Sequence, residues 1–123
     1  APCALERRHW HVAIRATGTR FEIHGTLSAR REPRIVKIDR FSVEAAPKGY
    51  LLIIKNYDKP GLIGALGTLL GRARINIAGM TNGREKPGGL AVTVLNVDSP
   101  IPPAVMARIK KSAHVIDAKL ITL

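Results

Sequence analysis

Three polar side chains, Asn56, Asp58 and Asn76, punctuate the segment NYDKPGLIGALGTLLGRARINIAGM, residues 56–80 of a 123-residue chain. A ligand that carries both an ammonium and a carboxylate needs a negative charge for one end and free N–H donors for the other. Asp58 offers the charge. The N–H groups of Gly61, Leu62 and Ile63, at the start of a helix opening with Pro60, offer the donors. Asparagine carboxamides both donate and accept, which suits a hydroxyl or an amide. The same residues also admit a structural role, with Asp58 capping the helix and Asn76 satisfying backbone groups, and the residue types leave both readings open.

Other chemistries fit less well. Gly61, Gly64 and Gly67 are three apart inside a helical pattern, and neither G-x-G-x-x-G nor G-x-x-x-x-G-K-[ST] occurs, so a nucleotide-phosphate loop is not expected. Ile63 to Leu70 resembles the IGxxGxx-apolar element of KH domains. Ala65 and Leu66 fill its loop positions where a basic residue would meet phosphate, so a continuous helix is preferred and nucleic-acid binding is not expected. Cys3, His9 and His11 match no zinc spacing, and no metal site is expected. No local motif supplies a nucleophile with its base or a carboxylate pair, so no catalytic residue is assigned. Arg30, Arg31, Arg34 and Arg40, with Lys37, form a basic cluster that reads as a solvated face or as an anion site.

Positioning Asn56, Asp58 and Asn76 requires a strand before them, a helix between and a strand after. Leu51 to Ile54 is a short, wholly apolar run, as in a strand buried on both faces at the centre of a sheet. Leu62, Ile63, Leu66, Leu69 and Leu70 trace one helical stripe. Gly61, Gly64, Gly67 and Gly71 trace another, whose repetition suggests close backbone approach. Strands are expected over 75–81 and 90–97, joined by the polar turn 82–89. A helix after Pro102-Pro103 buries Ile101, Val105 and Ile109, and a strand over 115–123 closes the chain. The order from Tyr50 is β-α-β-β-α-β, a split βαβ unit. Upstream, alternation predicts a hairpin over 10–27 with a turn at Thr17-Gly18-Thr19, then two short strands around Asp39-Arg40 and a linker at 46–49. Those strands cannot bury their apolar face among themselves, so a second domain, another chain or further sequence must cover it.

The core is aliphatic, since 46% of residues are hydrophobic but only 4% aromatic. The net charge of +11 is spread, with 10 basic and 5 acidic residues over 1–49 and 10 and 4 over 50–123, giving +5 and +6 and no dedicated basic tail. No apolar run approaches the roughly 20 residues that cross a bilayer, and Glu6, Arg7 and Arg8 interrupt any signal-peptide core, so a cytoplasmic protein without membrane contact is expected.

The pattern N-x-D-x-P-G-x-I-G, L-L-G and I-N-I-A-x-M over Asn56 to Met80 resembles an ACT domain, a small-molecule-sensing module. GTLSARREPRIVKIDRFSVEAAPKG is similar to the end of the intervening, allosteric substrate-binding domain of long-form D-3-phosphoglycerate dehydrogenases, and NGREKPGGLAVTVLNVDSPIP to the rest of their ACT domain. The resemblance implies an α+β chain, with the mostly β end of an intervening domain over 1–49 and a ferredoxin-like ACT domain over 50–123. It implies a regulatory segment that binds L-serine or a similar amino acid between paired ACT domains for feedback inhibition. Asn56, Asp58 and Asn76 would contact it, supported by the backbone of Pro60, Gly61, Leu62 and Ile63. It also implies a homo-oligomer, dehydrogenase domains as partners, and no cofactor in this chain, because NAD and the catalytic residues belong to those domains.

Overall fold

The computed structural model of the chain describes residues 9–16, 19–27 and 32–122, with side chains from residue 21 onward. The first sheet is β1 (His9–Ala16), β2 (Thr19–Leu27), β3 (Pro33–Ile38) and β4 (Phe41–Ala45), antiparallel and in chain order. The predicted hairpin forms between β1 and β2, from His9 opposite Thr26 to Ala16 opposite Thr19, so Thr19 of the expected turn opens β2, while Thr17 and Gly18 lie outside the described residues. Asp39 turns the chain between β3 and β4 at φ 52, a left-handed conformation that short polar side chains tolerate. It exchanges hydrogen bonds with Glu22 on β2: the Asp39 N–H donates to the Glu22 carbonyl at 2.6 Å, and the Glu22 N–H donates to Asp39 Oδ1 at 2.8 Å.

The second unit is β5 (Tyr50–Tyr57), α1 (Leu62–Arg72), β6 (Ile77–Arg84), β7 (Leu90–Val97), α2 (Pro103–Lys111) and β8 (Val115–Thr122), the expected βαββαβ order. Its antiparallel sheet runs β6-β7-β5-β8, which puts the apolar Leu51–Ile54 run in the interior, fully buried. β5 and β6 bracket the helical crossover and run in the same direction, both opposite to β7 between them.

Alternation along the strands builds two cores. Leu52, Ile54, Leu95 and Val97 face the helices and meet Leu62, Leu66, Leu70, Ile101 and Ile109. Leu51, Ile53, Val92 and Val94 face the other way and meet Phe21, Ile23, Ile35, Ile38, Phe41 and Val43 of the first sheet. The second sheet therefore covers the apolar face of the first, and the arrangement is three layers, sheet on sheet on helices. Polar links reinforce the seam. Lys55 Nζ lies 3.0 Å from Asp39 and 4.6 Å above the Phe21 ring. Asn96 Nδ2 donates to the Ala46 carbonyl at 2.8 Å, anchoring the expected linker.

Several element details differ from expectation. Pro60 lies in a turn, and α1 starts two residues later with Gly61 as its N-cap at φ 88, a conformation that glycine adopts without strain. Ile63, adjacent to Leu62 in the predicted stripe, turns outward and is 41% exposed. β6 runs on to Arg84, so Asn82 and Arg84 belong to a strand rather than to the turn.

Candidate functional site

Asn56 is the penultimate residue of β5 and is 1% exposed, a buried carboxamide with protein partners for both its nitrogen and its oxygen. Its Nδ2 donates to the Tyr57 carbonyl at 3.0 Å. Its Oδ1 accepts from the Thr93 hydroxyl at 3.0 Å, and that hydroxyl accepts from Asn82 Nδ2 at 2.9 Å. The chain Asn82–Thr93–Asn56 thus runs from the surface of β6 through β7 into the start of the loop. Thr93 was not foreseen as a polar core position, because it sits among apolar neighbours in a largely apolar strand.

Asp58 follows β5. Its N–H donates to the Gly89 carbonyl at 2.8 Å, tying the loop to the turn between β6 and β7. Its carboxylate does not cap α1, for which there is no side-chain cap. Instead Asp58 Oδ2 lies 2.6 Å from Arg84 Nη1 on β6. The capping role is therefore corrected to an ion pair. The N-terminus of α1, with no acidic residue in its first turn, stays uncapped by side chains beside this pair.

Asn76 lies elsewhere. Its Nδ2 donates to Asp98 Oδ2 at 2.9 Å, and its carbonyl accepts from the Asp98 N–H at 3.1 Å. Asp98 follows the last residue of β7, whereas Asn56 is opposite Ala91 and Asp58 bonds Gly89 at the strand's beginning. The span of β7 between them is about 23 Å at the usual strand rise. Within one chain the three residues do not line a common site, because α1 carries the chain back across the sheet before β6 begins.

The glycine positions of α1 also look outward. A Cβ placed on Gly64, Gly67 or Gly71 would meet no atom within 4 Å, so the close approach their repetition suggested is not made inside this chain. The helix is continuous through Gly64–Gly67 and buries Leu66, which removes the loop that a KH-type clamp requires.

The basic cluster is dispersed. Arg34 pairs with Glu44 at 3.0 Å, while Arg40, at the other end of β3, pairs with Glu85 and lies over the Phe41 ring. Arg30 and Arg31 lie outside the described residues. Arg34 and Arg40 thus have acidic partners in different places, and the two form no shared anion site. Among the described residues no group of three or more His, Cys, Asp or Glu side chains could hold a metal, and no helix is long and apolar enough to cross a membrane.

The sheet order and the polar loop after its first strand define a ferredoxin-like α+β module. Residues 50–114 match the ACT domain, and the chain belongs to the ACT domain family. Over most of its length it is similar to D-3-phosphoglycerate dehydrogenases. It is 43% identical to that of Archaeoglobus fulgidus over 114 residues, 91% of this chain and 21% of the relative. It is 39% identical to that of Methanocaldococcus jannaschii over 104 residues, 85% and 20% of the two chains. With that of Bacillus subtilis the identity is 32% over 114 residues, 91% and 22%. The chain spans about a fifth of the length of these relatives.

Proposed function

We propose that the chain is the amino-acid-sensing part of a cytoplasmic D-3-phosphoglycerate dehydrogenase, binding L-serine between two paired ACT domains to provide feedback control of serine formation. In this reading residues 1–49 belong to an intervening domain and residues 50–123 to the ACT domain. NAD and 3-phosphoglycerate are handled by the dehydrogenase domains outside this chain.

The observation that carries the reading is the placement of Asp58 and Asn76 at opposite ends of the sheet. β6 is an outer strand of that sheet. Pairing two copies antiparallel through their β6 edges brings the Asn76 end of one chain beside the Arg84 end, and hence the Asp58 loop, of the other. Such pairing also gives a use to the outward Ile63, to Met80, which is 51% exposed, and to the open glycine positions of α1. Small residues there let a partner helix approach closely. Each ligand would lie between the Asp58 loop of one chain and Asn76 of the next, and two such sites would stiffen the pair when filled.

Calorimetry with L-serine, alongside sedimentation, tests this. The expected result is a dimer or larger assembly that binds millimolar or tighter serine. An assembly that releases no heat with serine, and whose mass serine leaves unchanged, would leave the domain with assembly as its only role.

A further inference from the structure

We infer that Arg84 is the second charged pole of the amino-acid site, receiving the ligand's carboxylate while Asp58 receives its ammonium. This rests on the reading of the Asp58 loop as an amino-acid site. The geometry comes from β6. Its residues alternate, with Gly79, Thr81 and Gly83 directed at Asn96, Glu44 and Ser42, and Asn82 and Arg84 on the opposite face, toward Thr93 and Asp58. Arg84 is thereby held at the mouth of the loop.

The two charges touch at 2.6 Å through one nitrogen of a guanidinium that has five N–H donors, and the Arg84 side chain is 53% exposed against 24% for Asp58. An α-amino acid carries its ammonium and carboxylate on one carbon, about 3 Å apart at hydrogen-bond scale, a spacing that matches such a pair. Set alongside it, the ligand completes a square of alternating charges: Asp58 carboxylate, ligand ammonium, ligand carboxylate, Arg84 guanidinium. A neutral zwitterion then joins a neutral pair, and no net charge is desolvated. A ligand with only an ammonium or only a carboxylate leaves one member of the pair with an added, unbalanced neighbour. Arg84 therefore sets selectivity for zwitterions, which the uncharged donors of α1 cannot do alone.

The test is calorimetry on the full chain with three probes: L-serine, ethanolamine, which lacks the carboxylate, and glycerate, which lacks the ammonium. Wild type is expected to prefer serine to both by about tenfold or more. Arg84→Gln should weaken serine by about tenfold or more and abolish its advantage over ethanolamine, while Arg84→Lys recovers part of the loss. Lys59→Gln, a nearby change of the same charge, should leave the preference intact. Wild type that takes up no amino acid overturns both the site and the role of Arg84. Serine binding that Asp58→Ala removes but Arg84→Gln leaves unchanged or tightens overturns the role of Arg84 alone. An equal loss in Lys59→Gln also overturns it, by showing that the general cationic field suffices.

Discussion

Asp58 lies at the head of β7, bonded to Gly89, and Asn76 lies at its foot, bonded to Asp98. The two residues with the clearest ligand chemistry are thus separated by the full length of the sheet. A site that uses both must draw them from different chains.

Mixing experiments expose that arrangement. Asp58→Ala and Asn76→Ala, each alone, should bind no L-serine. After subunit exchange the mixed pair contains one site with both residues and one with neither, so calorimetry should recover about one ligand per mixed pair. A mixture as silent as its parents would show that Asp58 and Asn76 do not share a site.

Loss of binding in Asp58→Ala should not reflect unfolding. Its ion pair with the half-exposed Arg84 is a surface contact, and such pairs contribute about 0–1 kcal/mol. Urea unfolding of this variant should match wild type within about that margin.

Thr93→Val behaves differently. Valine keeps the shape and removes the hydroxyl that links Asn82 to Asn56, leaving the buried Asn56 Oδ1 without its donor. The expected cost is about 1–3 kcal/mol, read as a lower urea midpoint with an unchanged slope.

Gly83→Ala tests the seam between the sheets. A Cβ at Gly83 would lie 2.5 Å from the Ser42 carbonyl oxygen and 3.2 Å from both Phe41 and Val43. Backbone must move to admit it, and the expected destabilisation is about 1–3 kcal/mol. Gly64→Ala, where nothing lies within 4 Å, should instead leave or raise the stability of the isolated chain and weaken self-association in sedimentation.

Much of the architecture was legible because the apolar periods were clean. The run 51–54 announced an interior strand, and Leu62, Leu66 and Leu70 announced the buried side of α1. Local chemistry misled at the helix start. Pro60 suits a first helical position, but Gly61 reaches φ 88 and takes the cap itself. Arg84 was hidden because Asn82-Gly83-Arg84 reads as turn composition, while pairing with β7 keeps β6 extended as far as Arg84, opposite Ala91. The separation of Asp58 from Asn76 needed topology rather than residue type. A crossover helix returns the chain to the end where the first strand began, so the residue before β6 stands opposite the residue after β5. The first sheet's apolar face was plain in sequence, but nothing local to it named the second sheet as its cover.

The two-sidedness of β6 has a practical side for anyone wishing to watch this protein at work. A thiol placed at Met80, half exposed and on the same face as Asn82, would carry a fluorophore without parting the sheets but within the proposed β6 pairing surface, so its emission would report association, once Cys3, the one cysteine of this sequence, is replaced. One residue along either way, at Gly79 or Thr81, the same dye would be wedged against Asn96 or Glu44 and would report its own intrusion.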